Sequence, residues 1–158
     1  MTDSSRKPLE LTRFLLSSQL KEYPMNLEVP SVARTFLLVC AIGLIPIALG
    51  YGVAPSVTME KLFSIGIEGT NLTHVFRAVM GLYFGMIVIW VLGAFRGTLT
   101  RPALICCAVF MLGLAFGRVL SFFVDGQPHW LLVVYALLEV FFGVLALVLF
   151  RRLALKAT

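Results

Sequence analysis

The chain has 158 residues, 59% of them hydrophobic and only 13% charged, with a formal net charge of +5. Soluble domains average about 45–50% apolar and about 25% charged, so this composition excludes a soluble globular enzyme; the mean hydropathy of +0.96 excludes a disordered chain as well. Three cysteines cannot build a secreted disulfide scaffold, which leaves an integral membrane protein.

Residues 1–34 read as a polar, mixed-charge cytoplasmic N-terminal arm. No uninterrupted apolar run precedes a small-residue cleavage site there, so the arm does not read as a signal peptide. Leu9, Leu11, Phe14, Leu15, Leu16 and Leu20 spread around a helix without forming one stripe. A short interfacial helix and a loosely ordered arm both stay open. The first apolar run covers 35–53 and holds Pro46, which removes one backbone hydrogen bond and predicts a kink. Ala54-Pro55-Ser56 ends it. The second run covers 72–94, with Asn71 placed to cap its first turn. The third covers 103–124 and is opened by Arg101-Pro102, with proline at a tolerated early position. Asp125-Gly126-Gln127-Pro128 forms a tight turn before the fourth run, 130–150.

Each run approaches the about 20 residues a helix needs to cross the hydrocarbon. All four are continuously apolar and lack the alternation of a membrane β-barrel. The expected fold is all-α, a four-helix membrane bundle over 35–152 followed by a basic cytoplasmic tail, 153–158. Orientation follows from Lys and Arg in the flanking segments. Arg6, Lys7, Arg13, Lys21, Arg34, Arg96, Arg101, Arg151, Arg152 and Lys156 fall on one side, and Lys61 alone on the other, beside Glu60, Glu68 and Asp125. Both termini are therefore expected in the cytoplasm, and the basic balance reports topology. Nucleic acid is not expected as a partner, because no basic cluster sits on a folded aqueous domain.

A weak internal duplication pairs Cys40-Ala41, Ala48 and Gly50 with Cys107-Ala108, Ala115 and Gly117, setting Tyr51 opposite Arg118. It also pairs Arg77-x3-Gly81 with Glu139-x3-Gly143, which would bring Arg77 and Glu139 to one depth facing a common axis. Arg77, Arg118 and Glu139 are the ionisable residues inside the spans, and such residues are functional candidates by default. They lie about 9, 9 and 14 Å from the outer ends of their helices. Helical spacing adds His74, Ser121, Asp125 and Tyr135 to their faces, and His129 to the rim. The expectation is an outer-half polar cavity that binds an anionic or polar lipid-like ligand, with Arg77 and Arg118 as anion contacts and Glu139 orienting them. A plain ionic lock between helices is the alternative.

Gly81, Gly85, Gly113, Gly117 and Gly143 read as helix-packing positions, either within one bundle or between copies. His74 and His129 raise haem as a cofactor, but neither has a second ligand on its own helix, and no metal spacing is present. Cys106-Cys107 sits in apolar surroundings, where thiols are inert.

The run Phe76-Arg77-Ala78-Val79-Met80-Gly81 resembles the Arg-Ala-x-x-Gly signature of uncharacterised small bacterial membrane proteins, the domain of unknown function 4345 type. Gly117-Arg118 followed by Asp125-Gly126 resembles its second signature. That group is similar to the DoxX-like four-helix membrane proteins. The resemblance implies a four-helix bundle in a bacterial inner membrane. It implies no activity, although some DoxX-like relatives are subunits of quinone-linked oxidoreductases. The resulting expectation is a non-enzymatic accessory or binding protein with no resident cofactor. Membrane lipids are its expected partners, with other membrane subunits or a homo-oligomer as further ones. The alternatives are a small proton-coupled transporter and a quinone- or haem-associated subunit.

Overall fold

The structure, a computed structural model, describes residues 28–155. Among them the chain forms five helices and no strand: α1 (Ser31–Gly52), α2 (Pro55–Phe63), α3 (Thr70–Phe95), α4 (Gly97–Val124) and α5 (Trp130–Leu155). All but α2 are long and apolar enough to cross a membrane. Even α1, the shortest of the four with 22 residues, extends about 33 Å, against about 30 Å of hydrocarbon. The expectations for residues 1–27 and for 156–158 lie outside the described residues.

Contacts fix the directions. Arg34 meets Ala94 and Arg101 meets Phe150 at one end, termed the near end. Tyr51 meets Phe76 and Phe63 meets His129 at the other, the far end. Successive long helices therefore run antiparallel, with residues 31 and 155 both at the near end. α1 packs mainly on α3, α5 on α4, and α3 on α4, whereas α1 and α5 scarcely approach each other. Leu37, Trp90, Leu104 and Cys107 are fully buried between them. The outward faces are as apolar as the core: Ile42 is 66% exposed, Phe116 70% and Leu137 67%. Soluble proteins rarely expose apolar patches beyond a few hundred Å². A belt of this kind on every long helix suits lipid, and the chain is a multi-pass membrane protein.

Several local expectations change. The segment between the first two apolar runs contains α2, which starts with Pro55 in its first turn and buries Pro55, Met59 and Phe63 at helical spacing. Ser64, with φ 57°, ends that helix in a left-handed turn. Asn71 does not cap α3. The helix starts two residues earlier, at Thr70 after Gly69 at φ 86°, and no side chain caps it. Likewise α4 starts at Gly97, so Pro102 lies inside it. Pro46 lies inside α1, as the sequence places it. α1 and α5 also pass their apolar limits at the near end, because a helix continues into charged residues where hydropathy stops.

A single extended residue, Arg96, separates α3 from α4. The corner is tight because Gly93 lets the Ala103 side chain rest on its backbone, where a Cβ would collide with it. The Thr100 hydroxyl donates to the Gly93 carbonyl at 2.8 Å and the Arg34 guanidinium to the Ala94 carbonyl at 3.2 Å, serving two of the last carbonyls of α3. Of the glycines expected to pack helices, only Gly143 does so, against Leu112. Gly81, Gly85, Gly113 and Gly117 are exposed, with nothing within 4 Å of where a Cβ would stand. Packing within one chain is therefore corrected at these four positions: each points away from the neighbouring helices. The expected equivalence of Arg77-x3-Gly81 and Glu139-x3-Gly143 is corrected with them, since Arg77 and Gly81 are exposed while Glu139 and Gly143 are buried.

Candidate functional site

The Cα–Cβ bonds of a helix tilt toward its N-terminus. In α4, which runs from near end to far end, Arg118 therefore leans toward the near end. In the antiparallel α5, Glu139 leans toward the far end. Arg118 lies about 9 Å from the far end of α4 and Glu139 about 14 Å from that of α5, so the two side chains lean toward each other. They meet: Arg118 Nε donates to Glu139 Oε1 at 3.0 Å and to Oε2 at 2.9 Å. Their side chains are 21% and 10% exposed. A carboxylate in such a place needs a charged partner to stay ionised. Both hydrogen bonds run through Nε, so the two Nη groups of the fork are not engaged by Glu139. The guanidinium carbon also stands 5.7 Å from the centre of the Tyr135 ring, a cation–π contact. Tyr51 is near enough to interact with it electrostatically and through its side-chain hydroxyl.

The pair borders a hollow of about 200 Å³. Cys40, Gly43 and Ile47 of α1, Tyr83 of α3, Met111 and Leu114 of α4, and Tyr135, Leu138 and Phe142 of α5 help to line it. Toward the near end the Phe36 and Phe142 rings approach to 6.2 Å. Toward the far end α2 and the segment after it form a roof: Met59, Phe63 and Ile67 are buried against Tyr51, Phe76 and Tyr135. The open side lies between α1 and α5, where Val39, Gly43 and Leu138 line the hollow and are themselves exposed. A second hollow, of about 350 Å³, lies between α4 and α5 beside the 125–129 turn, and Arg118 lines it too.

Of the expected site residues, the structure brings Arg118, Glu139 and Tyr135 together at the first hollow. Arg77 is not among them. It is exposed on α3 and forms no ion pair among the described residues. Its Cα–Cβ bond tilts toward the far end, away from Glu139. His74 is also exposed and lines neither hollow. Ser121 borders the second hollow, and its hydroxyl donates to the exposed Asp125 carboxylate. His129 packs edge-on against Phe63 at 6.4 Å, and its Nδ1 accepts from the Leu131 N–H at 3.4 Å. The first hollow thus opens sideways between α1 and α5, the second joins Arg118 and Ser121 beside the 125–129 turn, and His74 lines neither. Tyr51, Tyr83 and Cys40 were not foreseen there. Only Tyr51 left a signal, its alignment opposite Arg118 in the internal duplication.

Fold and site together define a small multi-pass membrane protein with a partly buried ion pair beside a lateral, largely apolar hollow. Residues 32–150 match the family model for a domain of unknown function, DUF4345, and the chain belongs to that family. Neither the curated proteins nor the solved structures give a significant match.

Proposed function

We propose that this chain is a non-enzymatic binding or accessory protein of a bacterial inner membrane, with both termini cytoplasmic, and that its lateral hollow holds the polar end of a lipid-like molecule. The DoxX-like kinship belongs to the same reading, resting on the Arg77-x3-Gly81 and Gly117-Arg118 motifs. One observation carries the binding role: a half-buried arginine whose bonds to its carboxylate partner run through Nε alone, with Tyr51 near the guanidinium, beside a hollow that opens toward lipid. A guanidinium holding its counter-ion through one nitrogen keeps donors for a second acceptor. Two arginines around Glu139 would have favoured an anion, but Arg77 stands apart, so the anionic preference loses its ground and a polar ligand remains.

Mass spectrometry of the gently purified protein tests this. The double variant Arg118→Gln/Glu139→Gln removes both charges together and keeps a polar side chain at each position. It is expected to lose a co-purifying lipid that the Arg77→Gln variant retains. If every bound lipid survives the double change, the hollow is no binding site.

A further inference from the structure

Building on that binding role, we infer that the ligand is an uncharged amphipath, with a hydroxyl or carbonyl head, that enters from within the bilayer between α1 and α5. Three observations converge. The first is charge. With Arg77 and His74 on the outer surface of α3, Arg118 and Glu139 cancel formally, and no further charged side chain lines the hollow. A neutral pair offers an N–H donor from Nη and acceptor lone pairs on Glu139, which matches a hydroxyl able to accept and donate, or a carbonyl that accepts.

The second is depth. Glu139 lies about 14 Å along α5, close to the middle of a hydrocarbon core about 30 Å thick. A phosphate or carboxylate head drawn to that level would forfeit its hydration without a surplus cation to balance it. An uncharged head crosses the core readily.

The third is access. The apolar cluster of α2 covers the far-end side next to Tyr135, and the Phe36–Phe142 pair narrows the near-end side, while the second hollow beside the 125–129 turn meets Arg118 from between α4 and α5. The opening of the first hollow faces lipid, at Val39, Gly43 and Leu138. Enclosed ligand sites commonly measure about 300–1,000 Å³. At about 200 Å³ the hollow is smaller. It takes the head and the first part of a chain, while the rest of the tail stays in the bilayer.

Two photoreactive probes of equal chain length distinguish the ligand class: a diazirine-bearing fatty alcohol and the corresponding alkyl phosphate. Each is added to the full chain in liposomes, cross-linked, and mapped by peptide mass spectrometry. The variant Gly43→Phe projects a ring into the opening from a position with nothing within 4 Å, so the bundle has room to fold around it. The expected result is labelling of α1 and α5 peptides by the alcohol, none by the phosphate, and loss of the alcohol signal in Gly43→Phe. Labelling of those peptides by the phosphate as strongly as by the alcohol overturns the uncharged class but leaves the binding site standing. Alcohol labelling that persists in Gly43→Phe overturns the lateral route. If neither probe reaches α1 or α5, the binding role falls, and the inference with it.

Discussion

A guanidinium about 9 Å inside a membrane helix has two ways to avoid bare hydrocarbon: it can extend toward the headgroups or find a carboxylate. Arg77 and Arg118 sit at similar depths and take different routes because their helices run in opposite directions. Arg77, on a helix descending from the far end, leans outward and is exposed. Arg118, on an ascending helix, leans inward to Glu139. The energetic consequences differ accordingly. Removing one member of a buried pair strands the other charge, at a cost of about 3–5 kcal/mol, whereas replacing both by apolar groups is often neutral. Arg118→Leu and Glu139→Leu should therefore each lower the thermal midpoint in detergent strongly, and the double variant should recover most of the loss. Arg77→Gln should stay within about 0.5 kcal/mol of the parent. Additive losses in the double variant would show that the two side chains do not act as a pair.

At the scale of helices, close approach depends on which glycines face a neighbour. Gly93 is one that does, under Ala103 at the α3–α4 corner. Gly93→Ala forces two Cβ atoms into one space next to a backbone with only Arg96 to adjust, and overpacking of this kind costs about 1–3 kcal/mol. Thr100→Val removes the hydroxyl on the Gly93 carbonyl, worth about 1 kcal/mol. Gly81→Ala and Gly113→Ala meet nothing and should leave the melting temperature of the folded chain unchanged. Equal losses at Gly81 and Gly93 would contradict this division. Sequence alone separated these positions poorly, since small residues four apart look alike whichever way their helix is turned. Arg77 illustrates the same difficulty. It lies six residues before buried Tyr83, about 240° round the helix, and no local pattern reveals that rotation. The spans themselves were legible, because hydropathy accumulates over about 20 residues regardless of rotation. So were Arg118 and Glu139, since a charge stands out in an apolar run. α2 went unread although Pro55, Met59 and Phe63 carry its spacing, because its exposed polar residues dilute the window. Tyr51 and Tyr83 look in sequence like any aromatic of a membrane helix, and only the fold sets them beside Arg118.

For the molecule as a whole, the charges at its two ends bear on how it sits in the membrane. Among the described residues the near end carries Arg34, Arg96, Arg101, Arg151 and Arg152. The far end carries Lys61 with Glu60, Glu68 and Asp125. Lys and Arg in short flanking segments stay on the cytoplasmic side. Arg34 and Arg101 have a second reason to remain in place, since one serves the Ala94 carbonyl and the other stacks on Phe150. The near end should thus face the cytoplasm, which sets the α2 roof on the outer side and the Arg118–Glu139 pair beneath it. Cysteine labelling in intact cells checks the orientation. Glu68→Cys and Thr98→Cys both replace exposed residues, one at each end. A membrane-impermeant maleimide should react with Glu68→Cys in intact cells, and with Thr98→Cys only after the membrane is opened. The native Cys40 and Cys107 are buried, and the half-buried Cys106 is replaced by serine in both variants to remove its background. The reverse labelling pattern would turn the bundle over, so that α2 roofs the pocket from the cytoplasmic side and the arginine-rich end faces outward.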